Sequence, residues 1–97
     1  MFRLEEAVAS YDVALQIDDD GGVTHYNRAN ALRELGRHEE ALNCFRKATD
    51  YEDDVWYWYN TGDELVQLNR FEEALLALEQ ALKQNPRHPE SWAKKGQ

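Results

Sequence analysis

The sequence predicts an all-α fold made of helix–turn–helix units stacked in a row, and three observations lead there. The triplet Glu-Glu-Ala stands at 5–7, 39–41 and 72–74, and seven residues beyond each of its alanines comes another, at Ala14, Ala48 and Ala81. The copies are 34 and then 33 residues apart, and a fixed period of that size marks stacked supersecondary units instead of one irregular core. The 97 residues hold only two prolines and five glycines, placed between amphipathic runs, as a helical chain requires.

In chain order, residues 3–16 read as a helix, because Leu4, Ala7, Val8, Tyr11, Ala14 and Leu15 recur at i, i+3, i+4, i+7 and form one apolar face. The aspartates at 18–20 with Gly21 and Gly22 end it and make the turn, since glycine permits the left-handed backbone and aspartate disfavours continuation. A helix over about 23–35 follows, with Thr24 placed to cap it. Gly36 then stands where a helix-to-helix turn needs positive φ. Asn69 holds the same place one unit later, and asparagine is the usual second choice there. Further helices are predicted over 38–50, 55–68 and 71–84. Pro89 opens another, well suited to a first helical turn.

This divides a single domain, 1–97, into the second half of a repeat (1–21), two repeats (22–54 and 55–88) and the start of a further one (89–97). Terminal repeats normally carry a polar outer face, which neither end shows. The expectation is a segment of a longer array, with weak homo-oligomerisation through the open repeat ends. Small residues at Ala29, Gly62 and Gly96 on first helices, and at the six alanines 7, 14, 41, 48, 74 and 81 on second helices, are expected where neighbours cross closely. Leu32, Phe45, Leu65 and Leu78 are expected to fill the spaces between.

The units resemble the tetratricopeptide repeat, whose pattern is W-x2-L-G-x2-Y, then A-x3-F, then A, then P. Trp58, Gly62, Leu65, Ala74, Leu78, Ala81 and Pro86 stand at the matching places of one unit. His25, Ala29, Leu32, Ala41, Phe45 and Ala48 do so in the unit before it, with Asp53 where proline is usual. The leucine ahead of the small residue is missing throughout: Arg28, Thr61 and Lys95 sit there. The resemblance implies a right-handed superhelix whose first helices line a concave, protein-binding face.

Composition bounds the function. A net charge of −8 argues against nucleic acid, which needs basic surface. The charge is uneven: residues 1–54 hold 13 acidic and 6 basic side chains, 55–97 hold 6 and 5. Cys44 is the single cysteine, so the chain holds no internal disulfide or cysteine-rich metal framework. No apolar run approaches the roughly 20 residues that span a bilayer, and nothing resembles a signal peptide. The expected location is cytoplasmic.

No catalytic motif is present: no H-E-x-x-H, phosphate loop or nucleophile elbow. His25 and His38 take aromatic positions of the repeat and read as packing residues. The Glu-Glu pairs recur near helix N-termini, where the dipole favours anions, and read as structural. A calcium loop through the aspartates at 18–20 fails, because placing Gly21 sixth puts Gln16 first and Asn27 twelfth. The expectation is therefore a non-enzyme with no cofactor and no metal.

A binding surface remains. Trp56, Tyr57, Trp58 and Tyr59 occupy successive helical positions and sweep most of the circumference, so they do not all face the core. Trp58 matches the packing tryptophan of the repeat. Trp56 and Tyr59 share another face with Asn60 and Asp63, which the resemblance assigns to the concavity. Tyr26, Asn27, Asn30 and Arg33 of the preceding helix and Lys94 of the next complete the candidate peptide-binding set, with Val23, Glu90 and Gln97 at its margins. Aromatic side chains there suit a peptide, because they bury much area with few rotors.

Some members of the resembled family clamp a partner's terminal carboxylates. Asn30, Asn60 and Lys94 match that layout in part, while Tyr26 and Glu90 replace two of its lysines and oppose it. The leading expectation is a peptide- or protein-segment-binding module. The alternatives are a spacer or self-association segment of a longer array, and a regulatory domain of a larger chain that contains an enzyme.

Overall fold

The computed structural model describes residues 2–17 and 22–95, and within them six α-helices and no strands. The order is α1 (Phe2–Ile17), α2 (Gly22–Glu34), α3 (His38–Tyr51), α4 (Val55–Gln67), α5 (Phe71–Gln84) and α6 (Pro89–Lys95). Each helix packs on the next in sequence, and α4 also meets α6. The described residues measure 37 × 24 × 19 Å.

The turns form where expected and for the expected reason. Gly36 has φ +79° and Asn69 has φ 60°. Around each, the amide three residues beyond the helix reaches back to close it: Arg37 N donates to Leu32 O at 2.9 Å, and Arg70 N to Leu65 O at 2.8 Å. Asp54 caps α4, its carboxylate accepting from Trp56 N at 2.8 Å. Thr24 does not cap α2: the helix starts at Gly22, so Thr24 lies inside it and is buried. The expected acidic turn at 18–21 lies outside the described residues. Gly22 belongs to α2, and its reason is space: a Cβ there would meet the Tyr57 ring at 2.9 Å and Ala48 O at 3.2 Å.

Two apolar clusters form the core. Val8, Ala29, Leu32, Ala41, Cys44 and Phe45 join α1, α2 and α3. Leu42, Leu65, Ala74 and Ala77 join α3, α4 and α5, with Trp58, Val66 and Leu68 against them. Gly62 is where α4 and α5 touch, since a Cβ would sit 2.8 Å from Leu78 Cγ. Ala29, Ala41, Ala48 and Ala81 are fully buried, and Ala74 nearly so.

Ala14 departs from this set: it is exposed, and Ala7 only partly buried. At the equivalent places Ala48 and Ala81 are enclosed within helix pairs, whereas α1 packs mainly on α2. Gly96 lies outside the described residues. Burial of the Cys44 thiol pushes its pKa up, against the opposing pull of Arg28.

Candidate functional site

The face of α4 that carries Trp56, Tyr59, Asn60 and Asp63 lies between α2 and α6. Helical spacing places these residues together, because positions three, four and seven apart stack on one side. Trp56 is 45% exposed, yet its ring is held edge-on by two others: Tyr59 at 5.7 Å and His88 at 4.6 Å between centroids. His88 is buried just ahead of α6, and its Nδ1 accepts from Ser91 N at 3.2 Å and meets Ser91 Oγ at 2.7 Å. The imidazole thus caps α6 while its ring supports the exposed indole. Nothing in the residue pattern singled out His88, because this contact joins the two ends of one unit, far apart in sequence.

Tyr26 is the hinge between α2 and α4. Its ring lies 4.7 Å from that of Tyr57 and meets Phe45 edge-on at 5.6 Å. The hydroxyl accepts from Asn60 Nδ2 at 2.8 Å, and the same amide group donates to Trp56 O at 2.9 Å. Asn60 is buried and its donors are committed within the fold, so it serves the site by fixing the backbone under Trp56. Asn27 is exposed and Asn30 half-buried on α2.

The three predicted charged residues pair with one another. Arg33 Nη2 lies 3.4 Å from Asp63 Oδ2, and Lys94 Nζ lies 2.9 Å from Asp63 Oδ1. Hydrogen bonding to Asp63 raises the Lys94 pKa above its ordinary value. Arg33 also donates through Nε to Glu64 Oε1 at 2.5 Å, and its guanidinium stands 4.8 Å over the Phe45 ring.

Glu64 is fully buried and takes a second partner, His38 Nδ1 at 2.7 Å. His38 is thus not simply an aromatic substitute in the packing: it helps to satisfy a carboxylate that burial would otherwise make very costly. His25 does stack as a packing residue, 5.6 Å from Tyr51. The result is a continuous row, Lys94–Asp63–Arg33–Glu64–His38, that crosses α6, α4, α2 and α3. This face presents aromatic rings and amides beside charges that are already paired.

Among the described residues, no group of three or more histidine, cysteine, aspartate or glutamate side chains is placed to hold a metal ion. No helix among them is long and apolar enough to cross a membrane.

Comparison with known proteins agrees with the repeat geometry. Residues 23–53 and 55–88 each match a family model described as tetratricopeptide repeat. The chain is 31% identical over 71 residues to the small glutamine-rich tetratricopeptide repeat-containing protein of Dictyostelium discoideum, covering 72% of this chain and 21% of that one. It is 33% identical over 81 residues to the protein STIP1 homolog of the same organism, covering 82% and 14%. It is 25% identical over 88 residues to DnaJ homolog subfamily C member 3 of Gallus gallus, covering 91% and 18%. The chain therefore spans between 14% and 21% of the length of the curated relatives it matches. With two units matched by family models and the helix pairs, turns and small-residue crossings arranged as the pattern requires, the chain belongs to the tetratricopeptide repeat family.

Proposed function

We propose that this chain is a non-catalytic protein-interaction module that holds a peptide or protein segment on the concave side formed by α2, α4 and α6. The observation that carries the reading is Trp56. A large aromatic left half in solvent, yet braced by Tyr59 and His88, is a preorganised anchor that loses little freedom on binding. Asn27 and Asn30 supply groups for a peptide backbone. The internal pairing of Arg33, Asp63 and Lys94 favours a ligand recognised by apolar and amide contacts over one recognised by terminal carboxylates. The acidic balance disfavours nucleic acid as the partner.

The test compares wild type with the Trp56→Ala/Tyr59→Ala double variant in capture from lysate, followed by titration of whatever peptide segment is mapped. Circular dichroism establishes that both are folded. Loss of the captured segment in the variant alone supports the reading. Equal capture by both would sink it.

A second reading, an assembly segment of a longer stack, has its own observation. Leu75 stands one repeat after Leu42, yet Leu42 is fully buried against α4 while Leu75 is 40% exposed. Sedimentation across a concentration series decides, since mass that rises with concentration favours this reading and a constant monomer mass removes it.

A further inference from the structure

On the other side of α4 lies a cleft of about 580 Å³ between α3, α4 and α5. At about 100° per residue, Trp58, Thr61 and Leu65 face away from Trp56 and Tyr59, so this cleft is separate from the proposed peptide face and does not depend on it. Trp58, Leu65, Leu76 and Ala77 make its apolar walls, and Leu76 is 64% exposed. Arg46, Asp50 and Glu73 stand at the rim.

The repeat supplies two internal comparisons for what belongs there. One unit earlier, the place of Thr61 is taken by Arg28, whose guanidinium bridges α1 and α3: Nε lies 2.6 Å from Asp12 Oδ1 and Nη1 donates to Cys44 Sγ at 2.7 Å. One unit later the place is taken by Lys95, whose Nζ stands 5.1 Å from the centroid of Trp92. Trp92 is the repeat equivalent of Trp58. In both flanking units a long basic side chain occupies this position, reaching into the groove in one and over the indole in the other. In the central unit Thr61 is too short, its hydroxyl is turned to Tyr57 O at 2.8 Å, and Ala77 replaces the sulfur of Cys44.

The geometry points to this cleft as an acceptor for an arginine side chain presented by a basic segment of a partner protein. Trp58 offers the ring face that suits a cation, and Asp50 and Glu73 supply carboxylates. Glu73 Oε2 pairs with Arg70 at 2.7 Å and with Arg46 at 3.4 Å; both pairs are exposed, and an entering guanidinium replaces the longer one at little cost. The chain's charge of −8 favours approach of a basic segment.

The test is heteronuclear NMR on the 97-residue chain with two probes, acetyl-AARAA-amide and acetyl-AAEAA-amide. The expected result is a saturable shift of the Trp58 indole signal and the Ala77 and Thr49 amides with the arginine peptide alone. Trp56→Ala binds as wild type. Thr61→Arg, which restores the internal side chain, binds about tenfold or more weakly, as loss of a cation–π seat implies. Should Thr61→Arg fail to fold, Asp50→Asn/Glu73→Gln, at two exposed positions, decides by the same loss. No shift, equal shifts with both peptides, shifts confined to Trp56 and Tyr59, or unchanged binding in the folded cleft variants would each overturn the assignment.

Discussion

Arg33 and Glu64, 31 residues apart in sequence, meet at 2.5 Å, and the carboxylate they share with His38 has no access to solvent. This pair ties α2 to α4 beneath the candidate face. Arg33→Ala leaves Glu64 with His38 alone. The expected loss is about 2–3 kcal/mol in urea unfolding, below the full cost of breaking a buried pair because Arg33 is itself partly exposed. A change under about 0.5 kcal/mol, the level of an ordinary surface substitution, would refute a structural role.

Gly62→Ala places a methyl 2.8 Å from Leu78 Cγ, a branch point that cannot swing away freely. The expected cost is about 1–3 kcal/mol, the range for overpacking. Gly62→Ala/Leu78→Ala, which removes the clashing branch, should lose less than the sum of the two single variants in the same unfolding measurement.

Gly36→Ala tests backbone strain with no steric neighbour, because nothing lies within 4 Å of a Cβ built there. At φ +79° the expected cost is about 1–2 kcal/mol. Asn69→Gly, at φ 60°, should fall within about 0.5 kcal/mol of wild type, since glycine takes this backbone readily. Equal losses in both would contradict the backbone argument.

Cys44 carries a pH signature. Burial raises its pKa in the folded state, so the fold favours the protonated thiol. Its contribution is complete below the unfolded value of about 8.5 and is lost as pH rises through the folded value. Lys94, raised by Asp63, has the same sign, with its loss beginning above about 10.4. Unfolding free energy measured from about pH 7 to about pH 11.5 should fall first in the cysteine window and again above the lysine value. A Cys44→Ala chain should lose that first decline and keep the later one.

Much of the helical frame was legible because it rests on local rules. Period and apolar spacing placed α3 and α5, and Gly36 and Asn69 marked turns that only a few residue types tolerate. Glu64 was not legible: beside Asp63 on α4 it reads as one more solvated acid, and its partners come from helices that repeat crossing alone brings near. The same holds for His88, whose support of Trp56 joins the two ends of one unit that the fold alone brings together. Arg28, Thr61 and Lys95 were visible as departures from the repeat pattern, but their meaning depends on which side of each helix faces a groove. Ala14 followed the small-residue pattern, yet α1 packs mainly on α2 and leaves it in solvent.

Asp63 is held from both sides, by Arg33 of the helix before and Lys94 of the helix after. In a stack where units otherwise touch only through adjacent packing, this makes one carboxylate a shared strut between three successive first helices. Their separation along this row is held by the reach of an arginine and a lysine to one carboxylate. Asp63→Ala, which removes the strut, should therefore loosen α2, α4 and α6 from one another together and not one at a time.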